Sequence, residues 1–383
     1  MPWRSVATAM MGVLVGVGLA RFSYAPLLPV LISHGWFAPG AAAYLGAANL
    51  LGYLAGALAS RRLAVRFGTP KMVRLAMLLA AISLLACSIP LPFLWFFVWR
   101  LLSGIVGGLL MILGPASVMA HVPANRRGLA SGLMITGVGL GIAASGTLVP
   151  TMLHWSLSAA WLGLGTLSLV LTALAWNGWP SAPPPIIAPP ISSPTRFGPI
   201  SLSYGLSAVG MVPHMVFLSD YVARGLGRGI DAGAFSWVIY GVGALGGAVV
   251  AGRIADRIGP PATMRGIILV QAATVVALLA SVSPLVVGLS ALVSGALGPA
   301  ISAVMLGRVG QLAGSDGIAR ARGWTQATIA WAAGQAAGAY AMAWLFGALH
   351  GYAALFLAAM IALAAAIAVE LVLSLRLQSR IAA

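Results

Sequence analysis

Few residues in this chain can carry chemistry, so each can be read singly. The acids are Asp220, Asp231, Asp256, Asp316 and Glu370, and the first 219 residues hold none. Against these 5 stand 21 basic residues, all Arg except Lys71. Most basic residues end apolar runs, but Arg21, Arg100 and His214 lie inside runs long enough to cross a bilayer. A charge at bilayer depth costs at least about 2.5–3.5 kcal/mol on insertion scales, so such a side chain faces a cavity or a partner. By helix rise, Arg21 lies about 15 Å before Leu31, Arg100 about 12 Å after Pro92 and His214 about 12 Å before Val222. Three polar groups at one depth point to a binding site, with Tyr24, Asn49, Tyr240, Gln326 and Gln335 as supporting contacts. Two guanidinium groups and no nearby acid suit a carboxylate held bidentately. Each residue also has a structural reading. Arg21 can bond carbonyls freed by Pro26, Arg100 can brace a Gly-rich helix crossing, and His214 can bond a neighbour.

The acids divide in the same way. Asp220 has Arg224 four residues on, which reads either as a helix-end ion pair or as a proton site at an outer vestibule. Arg100 is a second proton-coupling candidate. Asp231 is placed as a helix N-cap, Asp316 as a solvated pair with Arg320, and Glu370 as a group that snorkels or pairs with an Arg. Asp256 falls in a tight loop beside Arg253 and Arg257. There it can cap a helix N-terminus, where the dipole favours an anion by about 0.3–1 kcal/mol, and so bias one conformational state or simply brace the loop.

The elements that must position these groups are membrane helices. Apolar residues make up 61% of the chain and charged residues 7%, whereas a soluble domain carries about 25% charged residues. A single cysteine excludes an internal disulfide framework. Twelve spans are expected, near 5–32, 40–60, 70–90, 93–119, 127–150, 158–178, 199–222, 232–252, 262–283, 285–307, 323–347 and 351–375. The N-terminal run reads as an uncleaved first helix. With the N-terminus inside, seventeen basic residues fall in inner loops and termini and two, Arg224 and Arg228, outside. That bias places both termini in the cytoplasm of a multi-pass inner (plasma) membrane protein.

Residues 180–199 hold eight prolines in twenty positions, which forbids a packed helix and marks a cytoplasmic spacer. The expected organisation is a six-helix bundle over 1–179, a proline-rich linker over 180–198 and a second bundle over 199–383. The halves repeat at a shift of 191. Residues 52–74 and 243–265 then match in ten of 23 columns, including Gly52/Gly243, Arg62/Arg253, Arg66/Arg257 and Gly68/Gly259. Parallel six-helix repeats about an axis along the membrane normal are a transporter architecture.

With these residues in view, the sequence resembles the major facilitator superfamily. The stretch GRIADRIG at 252–259 is similar to its loop signature, with Gly252, Asp256, Arg257 and Gly259 matching and Arg253 beside them. The first-half copy, LAVRFG at 63–68, has Val65 where the acid belongs. RLLSGIVGG resembles the helix 4 signature through Arg100, Gly104 and Gly107. GLARFSYAPLLP at 18–29 and FLSDYVARGLG at 217–227 resemble the YbfB-type branch. The resemblance implies an all-α fold of two pseudo-symmetric six-helix bundles, with helices 1, 4, 7 and 10 lining a central cavity and the 252–259 stretch acting as a conformational switch.

No enzyme constellation appears: there is no P-loop, HExxH or CxxC. No cofactor or metal is expected, nor is nucleic acid a partner. The expected partners are a small-molecule substrate, the lipid bilayer and, for a coupled mechanism, a proton. The chain is expected to work as a monomer. The reading is a secondary transporter of a small organic anion, working by rocker-switch alternating access. The alternatives are a proton-coupled exporter of hydrophobic compounds, a passive channel, and a receptor or scaffold that has lost transport. The glycines of helix 5, from Gly128 to Gly146, are expected to serve close helix packing.

Overall fold

The structure is a computed structural model and describes residues 3–123, 126–181, 197–349 and 351–382. Most of the proline-rich linker and both chain ends lie outside the described residues. Among those described there are twelve long helices and no strand: α1 Trp3–Ser33, α2 Pro39–Phe67, α3 Thr69–Ala86, α4 Phe93–Met119, α5 Arg127–Leu153, α6 Leu157–Ala175, α7 Gly198–Gly225, α8 Ile230–Ile258, α9 Pro260–Ala280, α10 Pro284–Ala313, α11 Gly317–Leu349 and α12 Ala353–Ala382. Eleven are long and apolar enough to cross a membrane; α11 has the length but a lower hydropathy. The chain is thus an all-helical, multi-pass membrane protein.

Several helices run past their apolar stretches. Arg61, Arg62 and Arg66 ride on the last turns of α2, and Arg253, Asp256 and Arg257 on the last turns of α8. Asp256 therefore sits on a helix end, not in a loop as its neighbours suggested. The turns themselves are single glycines. Gly68 at φ 83° and Gly259 at φ 82° each occupy a left-handed conformation that Gly adopts without a Cβ penalty. Two acids also depart from expectation. Gly229, not Asp231, precedes α8, and it makes no side-chain cap. Asp316 accepts from the N–H groups of Ile318 and Ala319 at 2.9 and 3.0 Å, so it caps α11, while Arg320 bonds the Gly314 carbonyl.

Within the first six helices, α2 crosses α4 so closely that a Cβ on Gly52 or Gly56 would strike the carbonyls of Leu101 and Ile105. The same contacts recur 191 residues on, where Gly243 and Gly247 of α8 meet the carbonyls of Leu292 and Ala296 on α10. Gly104 against Asn49 and Gly295 against Tyr240 form a third such pair. Small residues let membrane helices approach to backbone contact, where packing replaces the missing hydrophobic drive. The linker's ends are anchored in different halves: Trp179 fills the space over Gly12 and Gly114, and Phe197 packs on Gly323.

The first and last six helices meet through α1, α2 and α5 against α7, α8 and α11. At one end they touch: Gly40 packs on Gly347, Gly146 on Ala234 and Val238, and the Tyr44 and Tyr340 rings lie 5.9 Å apart. Towards the other end they part. A Cβ at Gly128 or Gly132 of α5, or at Gly246 or Gly252 of α8, would meet nothing within 4 Å. The close-packing role expected for the α5 glycines therefore holds for Gly137, Gly139, Gly141 and Gly146 but not for Gly128 and Gly132.

Candidate functional site: an arginine pair at the break in α1

The site grows from a fault in α1. Residues Leu14–Leu19 are wound as a π-helix, and the chain turns before regular helix resumes at Tyr24. Pro26 has no N–H to offer, and the Ala25 N–H bonds the Phe22 carbonyl rather than that of Arg21. Arg100 of α4 answers this shortage. Its Nη1 donates to the Ala20 carbonyl at 2.7 Å and its Nη2 to the Arg21 carbonyl at 3.4 Å. Its guanidinium lies 4.4 Å from the centre of the Tyr24 ring, and the residue is 1% exposed. Ser103, one turn on, also donates to Ala20, at 3.3 Å. Asn49 of α2 completes the brace by donating to Ser103 Oγ at 2.6 Å and to the Arg100 carbonyl at 3.2 Å.

Arg21 points elsewhere. Its Nη2 reaches Gln335 Oε1 of α11 at 2.7 Å and Met215 Sδ of α7 at 3.4 Å. The Tyr53 and Phe22 rings lie 4.6 and 5.0 Å from its guanidinium carbon. Arg21 thus joins the first six helices to the last six, whereas Arg100 works wholly inside the first six. Between the two lies a cavity of about 20 Å3, lined by both arginines, Phe22, Tyr24, Asn49 and Met215 among others. That is room for about one water. Arg100 Nε, Asn49 Oδ1 and Ser23 Oγ have no partner among the described residues.

The other expected site residues fall into three places. Tyr24 closes the cavity and donates to the Ala42 carbonyl at 2.6 Å. Tyr240 of α8 stacks on Trp237 at 4.8 Å, and Trp237 faces Phe22 at 6.1 Å, so Tyr240 joins the aromatic wall beside Arg21. His214 does not join the arginines. Its Nε2 meets Ser290 Oγ of α10 at 2.8 Å and its ring faces Phe356 of α12. It lies inside the last six helices. The signal for Met215 was present in the sequence, one residue from His214, but a thioether is not a residue type that polar reasoning selects.

Each carboxylate lies away from the arginine pair. Asp220 is fully buried at the closed end, bonded to Arg224 Nε at 2.8 Å and to the Tyr352 hydroxyl at 2.7 Å. Glu370 pairs with Arg308 of α10 at 2.6 Å, both buried, which moves Arg308 from an inner loop to the interior of a helix. Asp256 is exposed, makes no hydrogen bond or ion pair among the described residues, and lines a cavity of about 450 Å3 with Gly259, Pro260 and Gly307. A carboxylate on the last turn of its own helix faces the negative end of the dipole.

The family model described as "Uncharacterised MFS-type transporter YbfB" matches residues 13–371. The chain belongs to that family. Membership in this branch of the major facilitator superfamily makes it a transporter rather than an enzyme, with a small-molecule substrate. Among solved structures, one described as a D-xylose-proton symporter is similar over 95% of this chain and 97% of that chain, with a TM-score of 0.71 and 17% identity. At that identity the likeness is one of fold. No curated protein matches the chain.

Proposed function

We propose that this YbfB-type transporter moves a small organic anion across the inner membrane by rocker-switch alternating access between two pseudo-symmetric six-helix halves, 1–179 and 199–383. The observation that carries the anion reading is the buried pair Arg21 and Arg100 with every carboxylate placed elsewhere. Water-poor surroundings strengthen the attraction for a counter-charge. The contacts that recur at a shift of 191 support the two-fold relation, and the one-ended contact between the halves supports a rocking motion about the arginine level. The charge bias of the loops assigns the open end, with Arg127 and Arg253, to the cytoplasm. Proton coupling falls to Asp220, whose buried carboxylate bonds Arg224 and Tyr352 within the last six helices near the closed end.

The test is thermal stabilisation of the purified protein. A ligand bound only by the folded state adds about 2.7 kcal/mol at 100 times its Kd. Short carboxylates are expected to raise the melting temperature and their amides are not. Stabilisation by neutral or cationic solutes alone would overturn the anion reading. The topology has its own check: a reporter that is active only outside the cytoplasm, fused after Ala383, should stay silent.

Asp256, with Gly252, Arg253, Arg257 and Gly259, is assigned the switch. Unpaired in this state, it gains a partner when the open end closes. Asp256→Asn should slow transport and increase labelling of cysteines placed at the open end, with normal insertion. Unchanged labelling and transport would reduce Asp256 to a helix-end charge.

A further inference from the structure

Of the two arginines, Arg21 has the freer edge; Arg100 keeps only its Nε without a partner. The terminal nitrogens of Arg100 hold the Ala20 and Arg21 carbonyls, and withdrawing them would leave both without that donor. Arg21 holds a neutral amide oxygen and a thioether. A thioether is a weak acceptor, and a carboxylate can take two parallel N–H bonds from one guanidinium edge where a single amide oxygen takes one. An entering carboxylate can therefore displace both from Arg21, and Gln335 can turn its amide N–H, now on Met215 Sδ at 3.5 Å, towards the same anion. One available fork takes one negative charge.

The surroundings of that fork are rings. Tyr53 and Phe22 cover the guanidinium at 4.6 and 5.0 Å. Phe22 continues to Trp237 at 6.1 Å, and Trp237 stacks on Tyr240 at 4.8 Å with 13° between planes. Phe22 and Tyr53 belong to the first six helices, Trp237 and Tyr240 to α8. The present cavity of about 20 Å3 holds no ring and Trp237 is fully buried, so a flat ring attached to a carboxylate enters as the halves part between Phe22 and Trp237, with its anion on Arg21 and its faces touching both halves. A sugar or a dicarboxylate would leave polar groups facing rings without partners, and a buried polar group without a partner is costly.

We infer that the substrate is an aromatic monocarboxylate, held by Arg21 and Gln335 through its anion and by Phe22, Trp237 and Tyr240 through its ring. This rests on the anion reading above and narrows it. The experiment measures binding of benzoate, acetate, succinate and benzamide to the purified full chain by thermal shift. Benzoate is expected to bind about 10-fold or more tighter than acetate, from ring contacts beyond area burial, and tighter than succinate. In Phe22→Leu and Tyr240→Leu the benzoate-to-acetate ratio should fall towards one, with the unliganded melting temperature near the parent's in at least one variant. Succinate binding tighter than benzoate, or a ratio unchanged in a folded variant, overturns the aromatic assignment and leaves the anion reading standing. Benzamide binding as well as benzoate overturns both.

Discussion

Arg100→Ala is expected to fail at folding, not at binding. The side chain is 1% exposed and donates to two backbone carbonyls of another helix. Truncation removes both bonds, opens a void under Tyr24 and leaves the break in α1 without its donor. An unsatisfied buried group costs about 1–3 kcal/mol. Interhelical hydrogen bonds in membranes are often weaker, nearer 0.6 kcal/mol, because the unfolded chain also finds partners. The charge on the donor and the cavity term both push the other way. A loss of about 2–4 kcal/mol follows from these figures, enough to lower the yield of inserted, monodisperse protein several-fold. Arg100→Lys should recover little, because an ammonium group has no fork to span two carbonyls. The measurement is the melting temperature and the monodisperse fraction after solubilisation. An Arg100→Ala protein that melts with the parent would remove the brace.

The nearness of Arg21 and Arg100 was legible in the sequence and side-chain direction was not. Helix rise put Arg21, Arg100 and His214 at one level, and the first two do share a cavity. The same arithmetic cannot tell which way a side chain faces once α1 and α7 leave the 3.6-residue period, and both contain π-helical turns. His214 lies in such a turn and meets α10 and α12. Winding also hid the role of Arg100. Its carbonyl partners are available because the backbone hydrogen-bond ladder skips them between the π-helix and Pro26, with the Ala25 N–H on Phe22 instead of Arg21. The glycine repeat was the opposite case. Gly52, Gly56, Gly243 and Gly247 stand out because only absent side chains permit those crossings, so sequence identity and geometry report one constraint. Helix ends were read least well. The first Arg residues suggest a helix end, yet α2 and α8 continue for another turn or two, carrying Arg66 and Asp256 with them.

Arg21 should behave in the reverse way to Arg100. Its guanidinium holds side chains rather than backbone, and its partners are a flexible amide and a thioether. Arg21→Met keeps an unbranched apolar stem beside Tyr53 and Phe22, so insertion and melting should stay close to the parent. Anion binding should not survive. Hydrogen bonds to a charged group contribute about 1.5–3 kcal/mol each, and each 1.4 kcal/mol is a factor of about ten in Kd. Loss of a two-bond fork then weakens a carboxylate by about 100-fold or more. Arg21→Lys keeps the charge without the planar fork and should recover only part of that loss. Gln335→Leu separates the two jobs of Arg21. It removes one neutral donor to the anion and the tie between α1 and α11 while leaving the guanidinium in place. If the tie holds the halves in the present arrangement, transport should change in Gln335→Leu while the preference for anions over amides remains. Binding of benzoate to Arg21→Met at the parent's affinity would falsify the assignment of the anion to Arg21 and move it to the unpartnered Nε of Arg100.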